Sequence, residues 1–315
     1  MLSVTFLGTS AARPTVERGV SSIALVREGE TIVFECGEGT QRQMMRFGVG
    51  FSFSEIFISH YHADHFLGLI GLARTFGLQG RTEPLHVYGP SGTHEILGAA
   101  LAVGVERSPF PIELHEIAPG DVLRRPEYSL EVFRVEHGRQ AVGFALREHE
   151  RLGRFDPDRA RALGIPEGPL WGKIHKGETV EFDVTAPDGS IERRSVGPDE
   201  LVGAVRPGRT VVYTGDTRPC ESVVDAAAGA DLLIHEATFG HEERDRARET
   251  DHSTAVEAAQ VALAAGVRQL ALTHLSARYS AMPEVLREEA AAVFPATVIA
   301  KDGMEIAVAF PDEAG

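Results

Sequence analysis

The chain is poor in cysteine, in lysine and in long apolar runs. Two cysteines, Cys36 and Cys220, in 315 residues cannot build a disulfide framework or a four-cysteine zinc site. A reducing cytoplasm is therefore the expected compartment. No stretch approaches the ~20 apolar residues that a membrane helix needs, so no membrane partner is expected. The opening MLSVTFLGTSAARP lacks the basic start and long apolar stretch of a secretory signal. There are three lysines, and the net charge is −15. That balance argues against broad electrostatic binding of nucleic acid unless positive charge is gathered locally.

Histidine, by contrast, is plentiful. Residues 59–65 read SHYHADH and place His60, His62, Asp64 and His65 directly after the apolar run Ile56-Phe57-Ile58. A lone histidine after a strand is usually a surface or satisfied core residue. Four metal-capable side chains this close together rarely arise for packing. His60 and His62, two apart on extended backbone, point to one side. Asp64 and His65 open the next helix and point elsewhere, so one loop can feed two adjacent metal positions. Zn²⁺ takes histidine nitrogen and carboxylate oxygen in near-tetrahedral sites. The remaining ligands are expected at other strand ends, where His137, Asp216 and His274 each follow a β-like run. One site then comprises His60, His62, His137 and Asp216. The other comprises Asp64, His65, His274 and the shared Asp216. Two Zn²⁺ per chain would lie ~3.5–4 Å apart.

Short runs rich in Val, Ile and Phe predict strands at 2–7, 21–26, 31–35, 55–59, 84–88, 112–117, 129–136 and 141–147. Helices are expected at 39–47 and 64–76. Beyond residue 208, strands at 209–214, 231–235, 268–273, 296–300 and 304–309 alternate with helices at 219–228, 253–265 and 282–292. No repeat has a solenoid period. This order suits an α/β fold: a four-layer αββα sandwich of two mixed sheets flanked by helices, forming a single domain over 1–315. Residues 148–195 interrupt it with a stretch rich in charge, Gly and Pro. Within a −15 chain, residues 147–176 carry net +2, the only tryptophan (Trp171) and two of the three lysines, Lys173 and Lys176. A solvated insertion is the plain reading, but the charge contrast favours a polyanion-facing role.

The order H-x-H-x-D-H, then His, Asp and His, resembles the metallo-β-lactamase fold superfamily. Finer stretches narrow this: FLGTSAARPT, FECGEGTQRQ, ISHYHADHFLGL, GIPEGPLWGKIHKGETV, YTGDTRPC, LLIHEATF, DHSTA and LTHLSARY. Over nearly the whole chain they resemble the bacterial short-form ribonuclease Z family, endonucleases that remove the 3′ trailer from precursor tRNA. The resemblance implies precursor tRNA as partner and a homodimer. It also implies that 148–195 is a protruding tRNA-binding arm carrying Lys173 and Lys176. Asp64 would both ligate metal and act as general base, and His252 would protonate the leaving 3′ oxygen. Read without the family, His252 is equally a helix N-terminal residue beside Ser253. His235 and Glu236 are expected to orient ligands, and Arg278 to bind a phosphate. The family's early loop, P-x-K-x-R-N, departs here to Pro14-Thr15-Val16-Glu17-Arg18-Gly19. The alternative is a phosphodiesterase on this fold acting on a small-molecule ester, with the same ligands and no need for the arm. Flavodiiron oxidoreductases carry Glu where His62 stands and need a flavin domain. A catalytically dead RNA-binding module would not need the complete ligand set.

Overall fold

The computed structural model describes residues 1–104, 108–185 and 189–311. The chain begins with strands β1 (Leu2–Gly8), β2 (Ser22–Arg27) and β3 (Glu30–Phe34) and helix α1 (Thr40–Phe47). Next come β4 (Glu55–Phe57), helices α2 (Ala63–Phe66) and α3 (Gly68–Leu78), β5 (Leu85–Gly89), α4 (Thr93–Leu101) and β6 (Ile112–Glu116). Strands β7 (Val122–Arg124), β8 (Tyr128–Arg134) and β9 (Val142–Glu148) lead to a second unit holding α5 (Pro157–Ala162), α6 (Pro169–His175), β10 (Val180–Thr185) and β11 (Ile191–Val196). The chain then returns through β12 (Thr210–Tyr213), α7 (Glu221–Ala226), β13 (Leu232–Glu236), α8 (Arg244–Glu249) and α9 (Ala255–Ala265). It ends with β14 (Leu270–Thr273), α10 (Glu284–Ala291), β15 (Thr297–Ile299) and β16 (Glu305–Ala307).

Two seven-stranded mixed sheets form the first unit, in the orders β16-β1-β2-β3-β4-β5-β6 and β15-β14-β13-β12-β9-β8-β7. Period-two alternation sorts each strand's side chains between layers. Ile23, Leu25, Ile32, Phe34 and Phe57 of the first sheet meet Phe144, Tyr213, Leu232 and Ile234 of the second in one inner core. Phe34 spans the layers, stacking on Phe144 with centroids 5.4 Å apart. Losing such a fully buried ring to alanine costs about 3–5 kcal/mol. The alternate residues Ala24, Val33 and Ile56 face outward onto Met44, Leu69 and Leu72 of the first sheet's helices. Leu233, Leu270 and Leu272 likewise face Ala258, Ala262 and Leu286 on the other side. The expected αββα layering is present. Helices α4 and α8 and strand β7 were not anticipated. No described helix is long and apolar enough to cross a membrane.

The second unit comprises Glu148–Gly208 together with Phe310 and Pro311. It has its own small core of Ala160, Ile165, Ile174, Val180, Phe182, Val196 and Leu201. Asp156 caps α5 by accepting from Arg159 N–H at 2.9 Å, and β10 pairs antiparallel with β11. Arg151 and Arg206 exchange backbone hydrogen bonds of 2.7 and 2.9 Å where the chain enters and leaves. The unit therefore runs past residue 195 to 208. Over 148–208 it holds nine basic and twelve acidic residues, net −3, so the positive excess belongs to its first half only.

Candidate metal centre

The site assembles at the carboxyl ends of four strands. Strand β4 delivers His60 and His62, and α2 presents Asp64 and His65. His137 follows β8, Asp216 follows β12 and His274 follows β14. His60 Nε2, His62 Nδ1 and His137 Nε2 converge, with His62 Nδ1 3.0 Å from His60 and 3.1 Å from His137. Asp216 Oδ2 lies 3.6 Å from His60 Nε2 and 3.9 Å from His137 Nε2. A second triangle joins His65 Nε2, His274 Nε2 and Asp64 Oδ2, with sides of 3.4, 3.3 and 3.6 Å. Asp216 Oδ2 is also 3.4 Å from His65 Nε2, so this one oxygen faces both groups. Tetrahedral bonds of ~2.1 Å place neighbouring ligand atoms about 3.4 Å apart. Both donor sets fit that spacing, and the structure brings together all seven residues named from the sequence.

The far sides of the rings are anchored too. His137 Nδ1 donates to the Asp251 carbonyl at 2.8 Å, which leaves its lone pair on Nε2, facing His62. The Thr238 hydroxyl donates to Glu236 at 2.7 Å and accepts from His274 Nδ1 at 2.9 Å. With Nδ1 engaged there, His274 turns Nε2 toward Asp64 Oδ2, 3.3 Å away. His60 Nδ1 meets the Ser59 hydroxyl at 3.0 Å, and His65 Nδ1 lies 3.4 Å from buried Glu35. Outer partners of this kind fix ring orientation and tautomer in metal sites. Glu35, Ser59, Thr238 and the Asp251 carbonyl were not found from sequence. Glu35 alone left a trace there, as a carboxylate ending an apolar strand.

Charge is tuned by the same contacts. Burial and the facing histidines hold His60 below its ordinary pKa, and His62 is lowered in the same way. Burial would raise Asp64 and Asp216, but the hydrogen bond from His274 to Asp64 and the charges of His65 and His274 hold both below the usual carboxylate range. His252 sits beside the pair, with Nδ1 2.7 Å from Glu236 Oε1. Burial works against its charge, yet Glu236 pushes it up to about 9.

Two close approaches seat the metal loop. A Cβ on Gly68 would fall 1.9 Å from the Gly37 carbonyl oxygen, and one on Gly37 would fall 2.3 Å from the Asp64 carbonyl. Gly68 N–H donates to Cys36 at 2.8 Å, and Cys36 N–H to His65 at 2.7 Å. The single helix expected over 64–76 is therefore broken at Leu67 into α2 and α3. Gly68→Ala is expected to cost at least ~1–3 kcal/mol through overpacking and to loosen metal retention, read by thermal unfolding and elemental analysis.

Some expectations need correction. His235 does not orient the ligands. Adjacent residues of β13 face opposite ways, and its Nδ1 meets its neighbour's carbonyl at 2.7 Å. Glu236 faces the site, where it meets His252 Nδ1 and accepts from the Thr238 hydroxyl. Arg278 is paired with Glu243 and lies over the Phe239 ring, so it is not an open phosphate ligand. Trp171 belongs to the second unit's packing, its indole N–H donating to Ile165 at 3.3 Å. Lys173 on α6 and Lys176, just past its end, are exposed. In the departed loop, Val16 is 96% exposed, while the Arg18 guanidinium is buried against Thr9 and the Ala300 carbonyl at 2.6 and 2.7 Å. A cleft of about 600 Å³ adjoins the centre, lined by His60, Tyr61, His62, Pro90, His137, Arg139 and Gln140 among others.

Residues 15–151 match the Metallo-beta-lactamase superfamily, and residues 169–275 match the Beta-lactamase superfamily domain. The chain is 56% identical over 314 residues to a ribonuclease Z of Gemmatimonas aurantiaca, covering 99% of this chain and 98% of that one. It is 48% identical over 313 residues to a ribonuclease Z of Myxococcus xanthus, covering 99% of each. The crystal structure of human short-form tRNase Z superposes with a TM-score of 0.67 at 27% identity, covering 98% of this chain and all of that one.

Proposed function

The chain belongs to the ribonuclease Z family of the metallo-β-lactamase superfamily, and on that premise we propose that it is a zinc-dependent endoribonuclease of precursor tRNA. It hydrolyses the phosphodiester bond that joins the 3′ trailer, leaving a 3′-hydroxyl on the tRNA. The observation that carries this reading is the pair of donor triangles sharing Asp216, with His252 alongside. His60, His62, His137 and Asp216 would hold one ion, and Asp64, His65, His274 and Asp216 the other. Two bound Zn²⁺ supply a water of lowered pKa and neutralise charge on the phosphate oxygens. Asp64 is fixed by the Ala12 N–H at 2.7 Å and takes the proton of the attacking water. His252, held by Glu236, gives a proton to the leaving 3′ oxygen.

The second unit serves as the tRNA-binding arm. Arg161, Arg193 and Arg194 are paired with acids of their own unit. Among the described residues, no ion pair is found for Lys173 or Lys176, which stand free for phosphate. The active form is a cytoplasmic homodimer in which one subunit's arm grips the tRNA cut by the other.

The test is incubation with end-labelled precursor tRNA. One cut at the trailer junction, lost on chelation and restored by Zn²⁺, is expected. Equal turnover of a generic ester and no cut at that junction would favour the small-molecule phosphodiesterase reading. For His252→Ala, cleavage of precursor tRNA is expected to fall about 10²–10⁴-fold. Bis(p-nitrophenyl) phosphate, whose leaving group needs no proton, should be nearly spared. Comparable losses on both substrates would reject the proton-donor role.

A further inference from the structure

We propose that His86, Glu113 and His115 form a third metal site, separate from the candidate centre, for a borderline divalent transition metal such as Zn²⁺. The parallel pairing of β5 with the edge strand β6 sets His86 opposite Glu113 and Tyr88 opposite His115. Strand alternation then puts all four side chains on one face. His86 Nδ1 lies 3.1 Å from His115 Nε2 and 3.2 Å from Glu113 Oε2, and that oxygen lies 4.0 Å from His115 Nε2. The three atoms form a triangle close to the ~3.4 Å edge of a tetrahedral donor set. Two imidazole nitrogens and one carboxylate select zinc, nickel or copper over magnesium or calcium.

The surroundings leave the triangle available. The His115 ring is stacked on Tyr88, with centroids 4.6 Å apart and planes 21° apart, which fixes its direction. Arg125, the nearby cation, is paired with Glu55 rather than Glu113. The side chains of His86, Glu113 and His115 are 31, 48 and 36% exposed, so water can fill the remaining coordination positions. His86 lies four residues before Pro90, which lines the catalytic cleft, a separation of about 13 Å along an extended strand. An ion here ties the last strand of its sheet to its neighbour. Without an ion, the same contacts reduce to a histidine–histidine hydrogen bond and a histidine–carboxylate contact.

The experiment counts ions. Wild type and the His86→Gln/His115→Gln variant are dialysed against excess Zn²⁺, desalted and analysed for zinc per chain. The expected result is one ion more in the wild type, with equal rates of precursor cleavage. Equal zinc contents would overturn the site. If circular dichroism shows the double variant unfolded, Glu113→Gln, which keeps both rings, replaces it. It is expected to retain less zinc than wild type, and equal retention would again overturn the proposal. Because the readout is a difference, it holds whatever the catalytic centre itself retains.

Discussion

Replacing Asp64 with alanine is expected to lower cleavage of precursor tRNA by about 10⁴-fold or more, with circular dichroism unchanged. The size follows from two losses at one atom. Oδ2 of Asp64 completes the triangle with His65 and His274, and in the proposed reaction it also accepts the water's proton. The fold tolerates the change because the carboxylate is held chiefly by its own site. Losing it frees one backbone donor, the N–H of Ala12, at a cost of about 1–3 kcal/mol. Removal of a buried charge offsets part of that cost. Asp64→Asn separates the roles: it keeps shape and an acceptor for Ala12 but cannot take the proton, so it should be similarly slow. A purified Asp64→Ala protein with wild-type rate would sink the assignment.

Excising residues 152–205 and joining Arg151 to Arg206 by a two-residue turn should weaken tRNA binding by about 10²-fold, as for a few lost phosphate contacts. Hydrolysis of bis(p-nitrophenyl) phosphate should stay at the wild-type rate. The boundaries come from the paired backbone of Arg151 and Arg206, a position that a tight hairpin turn can close. A shorter cut at 152–178 is a poorer experiment. It removes Ala160, Ile165 and Ile174 and leaves Val180, Phe182, Val196 and Leu201 uncovered. Equal loss of both activities after the longer excision would count against an RNA-binding role and point to damage in the first unit.

The site was legible in the sequence because ligand chemistry is local. SHYHADH is dense, and His137, Asp216 and His274 each end a strand whose apolar alternation is plain. The two sheets were legible for the same reason. What could not be read were partners brought from afar. Glu35 reaches His65 across thirty residues, and Thr238 reaches His274 across the packing of two parallel strands. His235 and Glu236 are neighbours in sequence, and only strand parity separates them. In the second unit, isolated apolar residues such as Ile165, Phe182 and Leu201 form a core without any periodic run, so that stretch read as irregular. Its charge was misjudged because seven of its twelve acidic residues lie beyond 176.

The first strand has a further consequence, for the order of synthesis. Strand β1 is hydrogen-bonded on one side to β2 and on the other to β16, with Ser3 opposite Ala307. A growing chain therefore presents an open β1 edge until its last strand has been made. Such edges invite pairing with other chains, and closing so long a loop is slow. His274 also arrives late, so neither the sheet nor the ligand set is complete in a nascent fragment. A chain stopped short of residue 305 would carry SHYHADH in full and still lack the strand that closes its sheet.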